Sequence, residues 1–260
     1  MTHNSSTDDH QSRTREFVHR LAEKGGFEQY WIQIHGTSLN RTEKDTVLAH
    51  CHPTGSDDVI LDAGCGEGRL AFALARLYRH VYAMDFSQAS CERLMRTIQE
   101  RSIKNITVWC QDLRSPGQFF QTDAVVLAQV LQHFARESDR LTVLKNLRRC
   151  LKVGGKIVCT VFNHSRLCNK LRHMKTDVDK TDGYPYYHYF EINELEDLLS
   201  RAGFDRISIY GCINLPARFH EISYGNIVSL LDTAFSRYSV SKYFGIYLLA
   251  EGIRESSAEG

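Results

Sequence analysis

Val59-Ile60-Leu61-Asp62-Ala63-Gly64-Cys65-Gly66-Glu67-Gly68 is the stretch of this 260-residue sequence that decides its fold. Val59 to Ala63 is an apolar run rather than an alternation, the pattern of a strand buried on both faces. A glycine then stands at every second position, and Leu70, Ala73, Leu74 and Leu77 follow at helical spacing. Glycine lets the backbone turn tightly and lets a ligand approach where a Cβ would intrude. The spacing also discriminates. A G-x-G-x-x-G fingerprint for a pyrophosphate needs glycine at 69, where the chain has Arg69, and no Gly-Lys-Ser/Thr phosphate loop occurs. The loop is G-x-G-x-G, which suits a ligand without a pyrophosphate.

The pattern repeats outward from this loop. Val81 to Met84, Ile106 to Cys110, Ala124 to Leu127 and Ile157 to Phe162 read as further buried strands. Between them lie amphipathic helices. One is capped by Ser87 and carries Cys91, Leu94, Met95 and Ile98. Another carries Leu141, Leu144, Leu147 and Leu151 and is expected to break at Gly154-Gly155. Strands alternating with helices mean βαβ units closing right-handed onto a doubly wound, mostly parallel sheet, an α/β fold. Leu195, Leu198, Leu199 and Ala202 form a later helix, ended by Gly203. Two last strands, Arg206 to Tyr210 and Phe244 to Glu251, bracket a helix with Ile227, Leu230, Leu231, Ala234 and Tyr238 on one face. Packing against the sheet is that helix's expected fate. Its only charges, Asp232 and Arg237, are too few to mark a membrane binder.

Three carboxylates end consecutive strands: Asp62, Asp85 and Asp112. Asp85 lies 21 residues after Gly64, where a carboxylate accepts hydrogen bonds from both ribose hydroxyls. Asp112 stands where an acceptor meets an adenine amino group. The set suits an adenosine that carries positive charge.

Together these residues resemble the class I, Rossmann-like methyltransferases of small-molecule type. The resemblance covers residues 59 to 204 and rests on Asp62-x-Gly64-x-Gly66-x-Gly68, Tyr82 to Ser87, Gln111-Asp112-Leu113, Asp123 to Leu131 and Leu151 to Ile157. It implies a seven-stranded sheet with an antiparallel last strand and S-adenosylmethionine over Gly64 to Gly68, leaving S-adenosylhomocysteine as product. It also implies ribose bonding by Asp85, with Phe86 beside it, adenine bonding by Asp112 and Leu113, and packing of the methionine portion near Gln129. No metal is expected.

Methyl transfer from a sulfonium is an in-line displacement, so alignment and exclusion of water are the main tasks. His133, in Gln129-Val130-Leu131-Gln132-His133-Phe134 after the fourth strand, is the candidate general base where the acceptor bears a proton. His164 is a weaker candidate, read as a loop residue. The run Tyr184-Pro185-Tyr186-Tyr187-His188-Tyr189-Phe190 is dense in rings. Tyr184, Tyr187 and Tyr189, with Tyr30 and Trp31 from the leader, are candidates to bind a flat or apolar acceptor.

The organisation expected is a disordered tail at 1–14, a helical leader at 15–58 and a methyltransferase domain at 59–254. Within the domain, 163–190 forms a lid and 213–242 a helical insertion. The chain has 32 basic and 31 acidic residues and 42% hydrophobic residues. That balance disfavours a globally basic nucleic-acid binder; a small-molecule substrate is what the resemblance implies. No Asn/Asp-Pro-Pro-aromatic run follows the fourth strand, as base-amine methylation would require. Eight cysteines without a Cys-x-x-Cys pair read as free thiols of a cytoplasmic protein. No apolar stretch is long enough to span a bilayer. A homodimer, an RNA or protein substrate, and a non-catalytic cofactor-binding partner subunit remain alternatives.

Overall fold

The computed structural model describes residues 12–14, 16–17, 20–21, 27–115, 117, 121–178, 186–215 and 225–256, with backbone alone at 27–36, 225 and 226. A long helix α1 (Phe27–His50) precedes β1 (Val59–Ala63), α2 (Ala71–Leu74), β2 (His80–Asp85), α3 (Gln88–Glu100) and β3 (Ile106–Cys110). Then come β4 (Thr122–Ala128), a 3₁₀ turn (Leu131–His133), α4 (Glu137–Cys150) and β5 (Leu151–Phe162). Between β5 and the next long helix lie α5 (Leu167–Leu171), β6 (Asp177–Val178) and β7 (Tyr187–His188). The chain closes with α6 (Ile192–Arg201), β8 (Asp205–Cys212), α7 (Gly225–Phe235), a second 3₁₀ turn (Ser239–Tyr243) and β9 (Tyr247–Ile253).

One seven-stranded sheet runs β3-β2-β1-β4-β5-β9-β8. Strands β1 to β5 pair in parallel, and β9 runs antiparallel between β5 and β8. This is the doubly wound arrangement expected, with its antiparallel last strand and the α7 insertion before it. β1 is central: all five of its residues are buried, four of them apolar and the fifth Asp62. Leu61 and Ala63 join the core under α4 and α6, while Ile60 faces the core that holds Val47, Leu74 and Leu94. The chain moves outward from β1 to β3, then returns to β4 on the other side. That reversal opens a crevice at the carboxyl ends of β1 and β4, where ligands bind in open α/β sheets.

Three local expectations change. α4 ends at Cys150, and Leu151 begins β5 rather than closing the helix stripe. The glycine pair therefore lies within the strand: Gly154 N–H donates to the Arg254 carbonyl and Arg254 N–H to that of Gly155. Phe244 caps the second 3₁₀ turn instead of starting the last strand. Of the tail expected to be disordered, residues 12–14 are helical and Thr14 is buried; residues 1–11 lie outside the described residues.

Candidate active site

The crevice contains a cavity lined by Asp62, Gly64, Gly66, Asp85, Phe86, Asp112, Leu113, Gln129 and His133, together with Thr14 from the leader. Residues distant in sequence meet here because strand order gathers them. All but Thr14 sit at a strand's carboxyl end or in the turn just beyond it.

The glycine loop is held by two backbone bonds to β2, from Gly64 N–H and Cys65 N–H to the Met84 carbonyl, at 2.7 and 3.0 Å. Gly64, Gly66 and Gly68 have φ of 75°, 52° and 92°, a region L residues rarely enter. Their reasons differ. A Cβ at Gly64 would meet Val130 Cγ2 at 2.3 Å, and one at Gly68 would meet Leu94 Cδ1 at 2.4 Å. A Cβ at Gly66 would meet nothing within 4 Å. Gly68 does not line the cavity; it lets the loop pack onto α3. Gly66 leaves open space at the cavity wall.

Asp85 organises this loop. Its Oδ2 accepts from Gly66 N–H at 2.9 Å and its Oδ1 from Ser87 N–H at 2.8 Å. Burial raises its pKa, opposed by backbone hydrogen bonds from Ser87, Gly66 and Phe86. Asp62 is 2% exposed, and its Oδ2 is buried with no hydrogen-bond partner. Burial pushes its carboxyl up to about 7, a rise that Arg69 opposes and Asp85 reinforces. A buried carboxylate oxygen without a donor costs roughly 1–3 kcal/mol, more when charged. It fits a cationic ligand group that brings its own N–H.

Asp112 is engaged otherwise. Arg114 donates to it through Nε at 3.1 Å and Nη2 at 2.7 Å, and the Arg114 backbone N–H adds a third bond. Arg114 also lies 3.7 Å from Asp139. Gln129 holds φ of 60°, unusual for a non-glycine residue; its N–H donates to the Thr160 carbonyl and its amide to Thr160 Oγ1.

His133 lies at the β4 end of the cavity, with Nδ1 3.4 Å from the Tyr186 carbonyl. Burial lowers its imidazole to about 4, outweighing backbone hydrogen bonds at Tyr186 and Gln129. It is therefore neutral near pH 7. Tyr187 packs on it at 5.1 Å and on Phe162 at 5.4 Å, while Tyr189 stacks on Phe162 at 5.0 Å. These two rings stand behind the cavity wall rather than on it. Tyr184 lies outside the described residues, as do the side chains of Tyr30 and Trp31. His164 bonds Glu191 and the Met174 carbonyl, fastening the residues after β5 to the start of α6. The β6–β7 pair is tied to α6 by His188, whose Nδ1 meets Asp177 at 2.9 Å and Nε2 meets Glu194 at 2.7 Å.

Sequence reasoning missed one unit. Arg69, the residue that breaks the dinucleotide fingerprint, reaches Glu43 at 2.9 Å and Asn40 Oδ1 at 3.0 Å on α1. Glu43 is fully buried. A charged residue on an otherwise helical leader gave no hint of this partner.

A family model described as "Methyltransferase domain" matches residues 60–155. Residues 60–155 thus carry a methyltransferase domain, and the chain is similar to methyltransferases that use S-adenosylmethionine. The methyltransferase is 27% identical over 156 residues to tRNA (carboxymethyluridine(34)-5-O)-methyltransferase ALKBH8 of Macaca fascicularis, covering 60% of this chain and 21% of that one. It is also 27% identical over 164 residues to a ubiquinone biosynthesis O-methyltransferase of Cereibacter sphaeroides, covering 60% of this chain and 64% of the relative. The chain thus spans less than two thirds of the length of either. Its fold is similar to that of an S-adenosylmethionine-dependent methyltransferase of Thermotoga maritima described as a possible histamine N-methyltransferase, with a TM-score of 0.64 at 15% identity, over 92% of this chain and 99% of that one.

Proposed function

We propose that this methyltransferase acts on a small aromatic or otherwise apolar acceptor. The observation that carries the reading is that the cavity-lining residues just after β4 include Val130, His133 and Phe134, apolar or neutral, whereas the charged lining residues Asp62, Glu67, Arg69, Asp85, Asp112 and Arg114 come from β1, β2 and the turns after β1 and β3. An apolar wall with one neutral hydrogen-bond acceptor suits a phenol- or quinol-like group. The Cereibacter relative is named for ubiquinone biosynthesis, which supports the same class.

When bound, S-adenosylmethionine supplies a methyl group already activated on its sulfonium. The chain's own residues bind and align. Asp85 turns its remaining lone pairs to the ribose hydroxyls, while Gly66 keeps the backbone clear of the ligand. Asp62 receives the ammonium of the methionine portion on its unpartnered Oδ2, beside Gln129. Phe86 and Leu113 cover the adenine faces. Asp112 accepts from the adenine amino group only as far as the Arg114 clamp leaves a lone pair free. His133 accepts a hydrogen bond from the acceptor and orients it. With a pKa about 6 below that of a phenol, it is too weak a base to remove that proton before the methyl bond begins to form. Val130 and Phe134 exclude water.

RNA as acceptor is a second reading, favoured by a groove lined by Lys44, Arg69, Arg76, Arg93, Arg96 and Arg101. Two of those cations are already engaged, Arg69 with Glu43 and Arg93 with Glu67. That weakens the pull on phosphate. Incubation with methyl-labelled cofactor tests the choice, using a panel of phenols, quinols and amines beside total tRNA. The proposal expects label in the organic phase; label confined to RNA, or no transfer to any small acceptor, overturns it.

A further inference from the structure

The insertion helix α7 is inside out. Its buried residues among those described are Ser229 and Asp232, with Ser236 just past its end, whereas Ile227, Leu230 and Leu231 are 56%, 70% and 59% exposed. The inward polarity has a cause. Thr42 Oγ1 of α1 donates to Ser229, and Thr46 Oγ1 lies 3.3 Å from Thr233. Asp232 accepts from the backbone and side chain of Asn214 and from Leu215 N–H. A polar face satisfied inside leaves the apolar stripe outside.

That stripe continues. Tyr238, Val240, Tyr243 and Phe244 are exposed beyond the helix end, and Phe235 rests on Phe244 at 6.3 Å. Arg166 donates to the Phe244 carbonyl, which brings α5 alongside with Leu167 and Leu171 at 59% and 72% exposure. Nine of the thirteen exposed large apolar side chains among the described residues thus lie on α5, α7 and the second 3₁₀ turn with its flanking residues, elements joined through Phe244. Single exposed apolar residues need no explanation, but a contiguous patch does.

Among the described residues, cations predominate around it. Lys170, Arg172, Lys175 and Arg237 are exposed, and no carboxylate among the described residues pairs with them. Of the carboxylates near them in sequence among the described residues, Asp232 is buried, and Asp177, though exposed, is bonded by His188 and Tyr186. A symmetric contact between two copies would set these cations against one another, because a twofold interface presents the same patch from both sides. An anionic lipid surface meets both features at once: apolar and aromatic side chains enter the acyl boundary while the cations meet the headgroups.

We propose that this face, built from α5, α7 and the second 3₁₀ turn, docks the methyltransferase onto an anionic membrane surface. It does not depend on which acceptor is methylated. Flotation of the full chain with phosphatidylcholine vesicles, with and without phosphatidylglycerol, tests it. Binding is expected only with phosphatidylglycerol and should weaken as salt rises. Lys170→Glu and Arg172→Glu should each cut partitioning about fivefold or more, the share of one cation near such a surface. The pair Leu230→Ser and Leu231→Ser should remove binding, with S-adenosylhomocysteine affinity retained as proof of folding. The proposal is overturned by absence of binding at low salt, by variants that bind as the parent does, or by a solution dimer that the Leu230→Ser, Leu231→Ser pair dissociates.

Discussion

The backbone N–H of Gly66 donates to Oδ2 of Asp85 across 2.9 Å, so the carboxylate at the tip of β2 sets the shape of the loop after β1. A side chain that would reach the cofactor therefore also builds the floor beneath it. Asp85→Ala removes both roles and should weaken S-adenosylhomocysteine binding by about 1–3 kcal/mol, roughly 5- to 150-fold. Titration calorimetry reads the change; equal affinity contradicts the assignment.

The loop glycines should separate by readout. Gly68→Ala drives a Cβ toward Leu94 and should lower the unfolding free energy by about 1–3 kcal/mol, as overpacking does. Gly66→Ala meets no protein atom, so its unfolding midpoint should fall little beyond the roughly 1–2 kcal/mol of a left-handed residue, while cofactor affinity drops sharply. Denaturant melts paired with calorimetry check both arms.

Cofactor binding should depend on pH through Asp62. Its folded pKa of about 7 lies above the unfolded 3.8, so the ligand-free fold holds a proton that the unfolded chain has lost. Stability from this group is present below the unfolded value and is lost as pH rises through about 7. An ammonium bound at Oδ2 needs the ionised carboxylate. Affinity should therefore increase as pH rises toward and past 7, by up to about tenfold per unit below it. Asp62→Asn should flatten that profile; an unchanged slope in the variant would show that another group is titrating.

His133→Ala should lower kcat by about tenfold, the loss of one orienting hydrogen bond, and leave cofactor affinity intact. Because burial keeps the parent imidazole near 4, kcat should show no inflection near the ordinary imidazole value of 6.5. Stopped or steady-state assays across that range decide it, and an inflection that vanishes in the variant would restore His133 as a general base.

Arg69 and Glu43 should be worth more apart than together. Arg69→Met strands a fully buried carboxylate and should cost about 3–5 kcal/mol, whereas the double change Arg69→Met with Glu43→Leu should recover much of it. Chemical denaturation of the three proteins measures the coupling directly.

Much of the fold could be read from the chain because buried parallel strands declare themselves as unbroken apolar runs. Val59–Ala63 and Ile106–Cys110 have the same limits in sequence and in structure. The carboxylates at strand tips were legible for the same reason: strand ends fix where side chains gather. What stayed hidden was anything decided by contacts between distant segments. The stripe Ile227, Leu230, Leu231 was visible, but a stripe does not say which way it faces; Thr42 and Thr46 on α1 decide that. Lys170, Arg172 and Lys175 lie in the Arg166–Lys175 segment, outside the helix, so the helix's own charges do not reveal that they stand beside it. Gly154 looked like a helix stop, yet pairing with Arg254 makes it part of a strand.

Glu43 buried against Arg69 has a practical consequence for protein engineering. The leader helix is not an interchangeable cap, since replacing it wholesale would strand a guanidinium one residue past the cofactor loop. Chimaeras in this scaffold must inherit positions 43 and 69 from the same parent, whatever else is exchanged around them.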